Sequence, residues 1–132
     1  MHAAGKLLDE AARRGLVRVV MLHHPPETSA AHLGRGLVDV RGFASVIHRA
    51  GAELIVHGHS HKLCLTRMEG PRGLVPVVGV PSASVLRGEP HHRAGYHLFE
   101  IFGDGSEYKI AARARGLLPG TAVVGDLGPL AL

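Results

Sequence analysis

The period of the hydrophobic positions changes along the chain, and the changes divide it into elements. Over residues 3–14, Leu7, Leu8, Ala11 and Ala12 recur at helical spacing, which predicts a short amphipathic helix stopped by Gly15. Residues 17–22 are β-branched and apolar on both faces apart from Arg18, the pattern of a buried strand. That strand runs into His23-His24-Pro25-Pro26, where two prolines end ladder pairing. Residues 27–36 read as loop. Residues 39–50 read as a second helix, opened by Asp39, with Phe43, Val46 and Ile47 on its inner face and Gly51 behind its end. A second short buried strand, 53–56, ends at His57-Gly58-His59-Ser60-His61.

From Lys62 onward the period is two. Leu63, Leu65 and Arg67 share one face of a strand over 62–69, and Cys64, Thr66 and Met68 share the other. Gly70-Pro71-Arg72-Gly73 is a turn leading to a strand over 74–80. Strands over 96–102 and 107–114 flank Gly103-Asp104-Gly105-Ser106, a strong hairpin signal. Helix, strand, helix, strand and then four strands predict an α/β fold. Its parallel strand pair is joined by a right-handed crossover and followed by antiparallel strands. Residues 117–132 hold glycines and prolines without a clear period, and read as an extension or as a cover for an apolar face.

With 45% hydrophobic and 20% charged residues the chain is a folded protein rather than a disordered one. The single cysteine, Cys64, excludes an internal disulfide framework and a four-cysteine zinc site; its place in the alternation makes it a small core residue. The net charge of +4 comes from arginines scattered along the chain. Aromatic residues are 4% and Trp is absent, so no stacking platform exists and nucleic acid is not expected as a specific partner. The longest uncharged apolar stretch, 74–86, contains two prolines and is too short to cross a bilayer. The first residues lack a secretory apolar core, so the expectation is a cytoplasmic protein with no membrane partner.

Histidine is the outlier, at eleven of 132 residues, while Asn and Gln are absent. Two histidine clusters lie just past the carboxyl ends of the two buried strands, the edge at which open α/β sheets bind ligands. Gly58 lets the backbone turn sharply and present His59 and His61 on one side, and such a His-x-His pair can serve one metal ion or two neighbouring ones. His23, His59 and His61 are therefore the candidate metal ligands. His57, in register with its strand, reads as a hydrogen-bonded core residue, and His97 as solvent-facing. His48 and His2 read as solvated, while His91 and His92 lie in a loop that could overhang the site.

Met21-Leu22-His23-His24-Pro25-Pro26, followed about thirty residues later by Val56-His57-Gly58-His59-Ser60-His61, resembles the C-terminal half of the calcineurin-like metallophosphoesterases, and more narrowly their bacterial phosphodiesterase-like members. Val75-Pro76-Val77-Val78-Gly79-Val80-Pro81-Ser82-Ala83-Ser84 and Tyr96-His97-Leu98-Phe99-Glu100 match the strands that follow in that family. The resemblance covers residues 14–116. It implies half of an α/β/β/α sandwich, with 1–116 a partial metallophosphoesterase domain and 117–132 an apolar tail containing Pro and Gly. It also implies that His23 and His59 bind one divalent ion and His61 the other, with His24, Pro25 and Pro26 shaping the loop. In the family two Mn, Fe or Zn ions about 3.5–4 Å apart bind phosphate oxygens and activate a bridging water.

The family's earlier motifs, Asp-x-His, Gly-Asp-x-x-Asp and Gly-Asn-His, do not occur. None of Asp9, Asp39, Asp104 and Asp126 is followed by x-His, Gly103-Asp104 comes after the histidine signature, and there is no Asn. Glu27 and Glu53, the nearest carboxylates, match no ligand position. The expected function is a metal-dependent phosphoester hydrolase acting on a phosphodiester or phosphomonoester, present as a C-terminal fragment that is inactive in isolation. The alternative is a non-catalytic metal-binding or interaction module derived from the same fold. Half a layered sandwich leaves an apolar face uncovered, which predicts self-association. Imidazole ligands compete with protons, so metal binding is expected to weaken below about pH 6.5.

Overall fold

A computed structural model describes residues 2–26, 36–87, 89, 92–105 and 107–132. The chain runs α1 (His2–Arg13), β1 (Val19–Leu22), α2 (Val40–Ala50), β2 (Leu54–His57), β3 (Cys64–Gly70), β4 (Gly73–Gly79), β5 (Gly95–Gly103), β6 (Tyr108–Leu117) and β7 (Val124–Leu130). The helix starts and stops follow local chemistry. The Asp39 carboxylate accepts the Gly42 N–H at 3.0 Å, and Gly51, at φ 77°, turns the chain out of α2 while donating its N–H to the Ile47 carbonyl at 2.8 Å.

The first sheet has the order β1-β2-β4-β3. β1 and β2 are parallel, with Val19 beside Leu54 and Leu22 beside His57, as the βαβ pattern requires. β3 and β4 form an antiparallel hairpin, but β4 then lies parallel to β2, Ile55 beside Val77, so the parallel set has three strands rather than two. The cause is hydrophobic. Val75, Val77 and Val78 are all 5% exposed or less, and only a central position covers both faces of β4. Phe43 and Ile47 of α2 pack on Ala52, Ile55, Val75 and Val77, with Leu8, Val20, Leu22, Leu37 and Met68 around them.

The second sheet is antiparallel, in the order β5-β6-β7. Residues 117–132, which show no period in the sequence, contain its edge strand β7, with Leu117 beside Val124 and Ala112 beside Leu130. Gly125, Gly128 and Pro129 interrupt any alternation there, and an edge strand is where a proline is tolerated in a sheet. His97 departs from its expected position. β5 turns His97, Phe99 and Ile101 to its half-buried side and leaves Tyr96, Leu98 and Phe102 exposed. Both faces of this strand are apolar, so alternation alone did not mark which one is inside. The Tyr108 hydroxyl of β6 donates to the Gly15 carbonyl, in the turn between α1 and β1, at 2.5 Å. Arg18, Pro76 of β4 and Tyr108 and Ile110 of β6 help line a cavity of about 360 Å³. Among the described residues, no helix is long and apolar enough to cross a membrane.

Candidate metal site

β1 and β2 are parallel and in register to their last residues, so the segments that follow them leave the sheet at the same edge. The Gly58 N–H donates to the His23 carbonyl at 3.2 Å and carries the pairing one step beyond the strands. This fastens the two histidine segments side by side. His23 Nε2 and His59 Nδ1 lie 3.3 Å apart. The His24 ring is tilted over His59, with centroids 4.5 Å apart at 38°, and meets His23 edge-on at 4.9 Å. One ligand nitrogen from each of His23, His24 and His59 lies within 4.8 Å of the others.

That spacing suits an ion. Two nitrogens bound at about 2.0–2.1 Å to a tetrahedral metal are separated by roughly 3.3–3.4 Å, the edge of the tetrahedron. Two neutral imidazoles at this distance can otherwise share one N–H···N hydrogen bond, which orients two rings and leaves the third nitrogen unused. The donor set is imidazole throughout. No Asp or Glu belongs to the group among the described residues.

The turn that presents His59 is held in an uncommon conformation. Among the described residues His59 (φ 64°) and His61 (φ 53°) are the non-glycine residues in the left-handed region. The Ser60 N–H donates to the Gly58 carbonyl at 2.8 Å, a bond from i+2 to i with His59 between, so His59 is the apex of a γ-turn with positive φ, the rarer and more strained form. The same carbonyl accepts from the Ser60 hydroxyl at 3.4 Å and lies 3.2 Å from His57 Nδ1. A carbonyl only accepts, so Nδ1 is the donor of this contact. The His57 ring is 2% exposed, and its Nε2 is buried without a hydrogen-bond partner among the described residues. It occupies the space that a side chain at Gly79 would fill: a Cβ there would stand 2.9 Å from His57 Cε1 and 3.0 Å from the Cys64 Cβ.

The structure brings together two of the three candidate ligands, His23 and His59, and adds His24 in place of His61, which is exposed and outside the group. Neighbouring residues of a strand point to opposite faces, which would keep His23 and His24 apart if the strand ran on. The chain bends out of strand geometry immediately after Leu22, and both rings turn to the same side. His48 is exposed, as expected, His92 is also exposed, and Cys64 is half-buried in β3. Glu27 and His91 lie outside the described residues.

Glu53 sits at the opposite end of the parallel strands, beside a partner that no sequence pattern announces. Arg18, 5% exposed, donates from Nε to Oε2 at 2.9 Å and from Nη2 to Oε1 at 2.5 Å, and Arg72 adds a bond of 3.0 Å. The Arg18 guanidinium that interrupts an otherwise apolar strand is therefore one half of a buried ion pair.

No family model matches the chain. Over 91 residues it is 33% identical to a protein of Synechococcus sp. named "probable cyclic nucleotide phosphodiesterase". The match takes in 67% of this chain and 34% of that protein, so the chain spans about a third of the length of the curated relative it matches.

Proposed function

We propose that this chain carries the histidine side of a metal-dependent phosphodiester hydrolase site, with His23 Nε2 and His59 Nδ1 as ligands of one divalent ion and His24 as the third imidazole. The observation that carries this reading is the 3.3 Å approach of the His23 and His59 nitrogens at the carboxyl ends of adjacent parallel strands. The named relative supports phosphodiester as the substrate class. When bound, the ion acts as a Lewis acid toward a phosphoryl oxygen. The chain's own contribution is to hold neutral imidazoles in place and to leave the site open, since His23 is exposed and a phosphate can approach from solvent.

A site for two ions needs anionic ligands between them to offset the repulsion of two dications, and the group has none among the described residues. On this reading the carboxylates, and the partners of His61, belong to a segment like the two thirds of the relative that the match leaves out. The same lack of carboxylates favours the second reading, a metal-binding module without turnover. Val19 and Met21, exposed on the edge strand β1, are where such a segment, or a second copy of the chain, would add.

The two readings separate in an assay of an activated phosphodiester with Mn²⁺, run on the chain alone and with a polypeptide corresponding to the relative's remaining two thirds. The hydrolase reading expects no turnover alone and metal-dependent turnover in the mixture, abolished by His23→Ala with His59→Ala. Binding without turnover in both samples favours the module, and turnover untouched by the substitutions contradicts the site.

A further inference from the structure

The Gly58 carbonyl accepts from three donors, and this peptide unit connects Gly58 to His59. We propose that His57 and Ser60 are positioning residues that lock this peptide and so hold His59 at the apex of its strained turn with Nδ1 facing His23. The inference rests on the reading of His59 as a metal ligand.

Three independent features support it. His59 is a non-glycine residue at φ 64°, a sparsely populated conformation that persists where surrounding bonds impose it. The bonds that impose it converge on one oxygen, from the Ser60 N–H at 2.8 Å, the Ser60 hydroxyl at 3.4 Å and His57 Nδ1 at 3.2 Å. Finally, the His57 ring is buried to 2% exposure with Nε2 unpartnered among the described residues, seated over Gly79. A leucine would fill that space without burying an unsatisfied nitrogen, so the ring's useful atom is Nδ1. Its bond fixes the plane of the peptide preceding His59, and with it the direction in which the His59 imidazole leaves the backbone. Ligand orientation by hydrogen-bonded neighbours is worth about 10–100-fold in metal affinity in other sites.

Two variants at His57 separate the bond from the packing. Asn presents an amide N–H close to the position of Nδ1; Phe fills the volume without a donor. A third variant, Ser60→Pro, removes the N–H of the turn at a position outside the core, and a following proline disfavours the left-handed conformation at His59. Two readouts are taken: Zn²⁺ affinity by calorimetry, and hydrogen exchange of the Ser60 amide in the metal-free protein.

The expected result is Zn²⁺ affinity within about threefold of wild type for His57→Asn and at least about tenfold weaker for His57→Phe and Ser60→Pro. Ser60 exchange should be slow in wild type and His57→Asn and fast in His57→Phe. Equal affinity in all three variants, or unchanged Ser60 protection in His57→Phe, overturns the positioning role even if the wild type binds metal. Wild-type protein that binds no Zn²⁺ while Ser60 exchange still depends on His57 contradicts the metal reading and leaves the turn geometry standing. If His57→Phe fails to fold, the affinity of Ser60→Pro decides.

Discussion

Arg18 and Glu53 form a buried pair of matched charges. The guanidinium also donates from Nη1 to the Ala50 carbonyl at 2.5 Å, while the Arg18 backbone N–H donates to Glu53 Oε2 at 2.8 Å, so the pair closes the start of β1 against the start of β2. Burial pushes the Glu53 carboxyl up, but the bonds from Arg18 and the charges of Arg18 and Arg72 outweigh it and hold the group below its ordinary value of 4.5. Because the folded value lies below the unfolded one, the stabilisation is complete above about pH 4.5 and is lost as pH falls through the folded value. Glu53→Ala leaves Arg18 buried and unmatched, and we expect a loss of about 3–5 kcal/mol in urea unfolding at pH 7. The variant should also show a shallower loss of stability below pH 4.5 than the wild type. A loss under about 1 kcal/mol at pH 7 would show that the guanidinium finds water instead.

At the scale of elements, β5 illustrates how far alternation can be read. His97 lies on the half-buried side with Phe99, its Nδ1 has no partner among the described residues, and burial holds the imidazole below its ordinary 6.5. The unfolded chain therefore takes a proton that the folded one refuses, so the fold loses stability as pH falls from about 6.5 toward the folded value. His97→Val removes the titrating group from a strand position that suits a β-branched residue. The gap between thermal midpoints at pH 7.5 and 5.5 should narrow in this variant; a gap as wide as wild type would place the acid sensitivity elsewhere. Elements with a strong period were legible, because the stripe on α2 and the apolar runs of β2 and β4 each record a packed face. β1, whose apolar run reads as buried on both faces, is instead an edge strand with Val19 and Met21 exposed. β7 was not legible, because Gly125, Gly128 and Pro129 erase alternation and its place is set by hydrogen bonds to β6. The approach of Arg18 to Glu53 depends on the register of β1 and β2, which neither segment encodes alone.

For the whole molecule, the topology is what turns a histidine-rich sequence into a site. Parallel β1 and β2 end together, so residues 36 positions apart in sequence face each other, and this convergence was legible from strand ends and Gly58. The approach of His24 to this pair was not, because it depends on the bend after Leu22 that puts His23 and His24 on one side. The account's central claim is that His23, His24 and His59 form one metal site, and calorimetric titration of the purified chain with Zn²⁺ tests it most directly. It predicts one ion per chain, binding abolished in His59→Ala and retained within about threefold in His61→Ala. A wild-type chain that binds no ion, or an affinity that depends on His61 and not on His59, would contradict it.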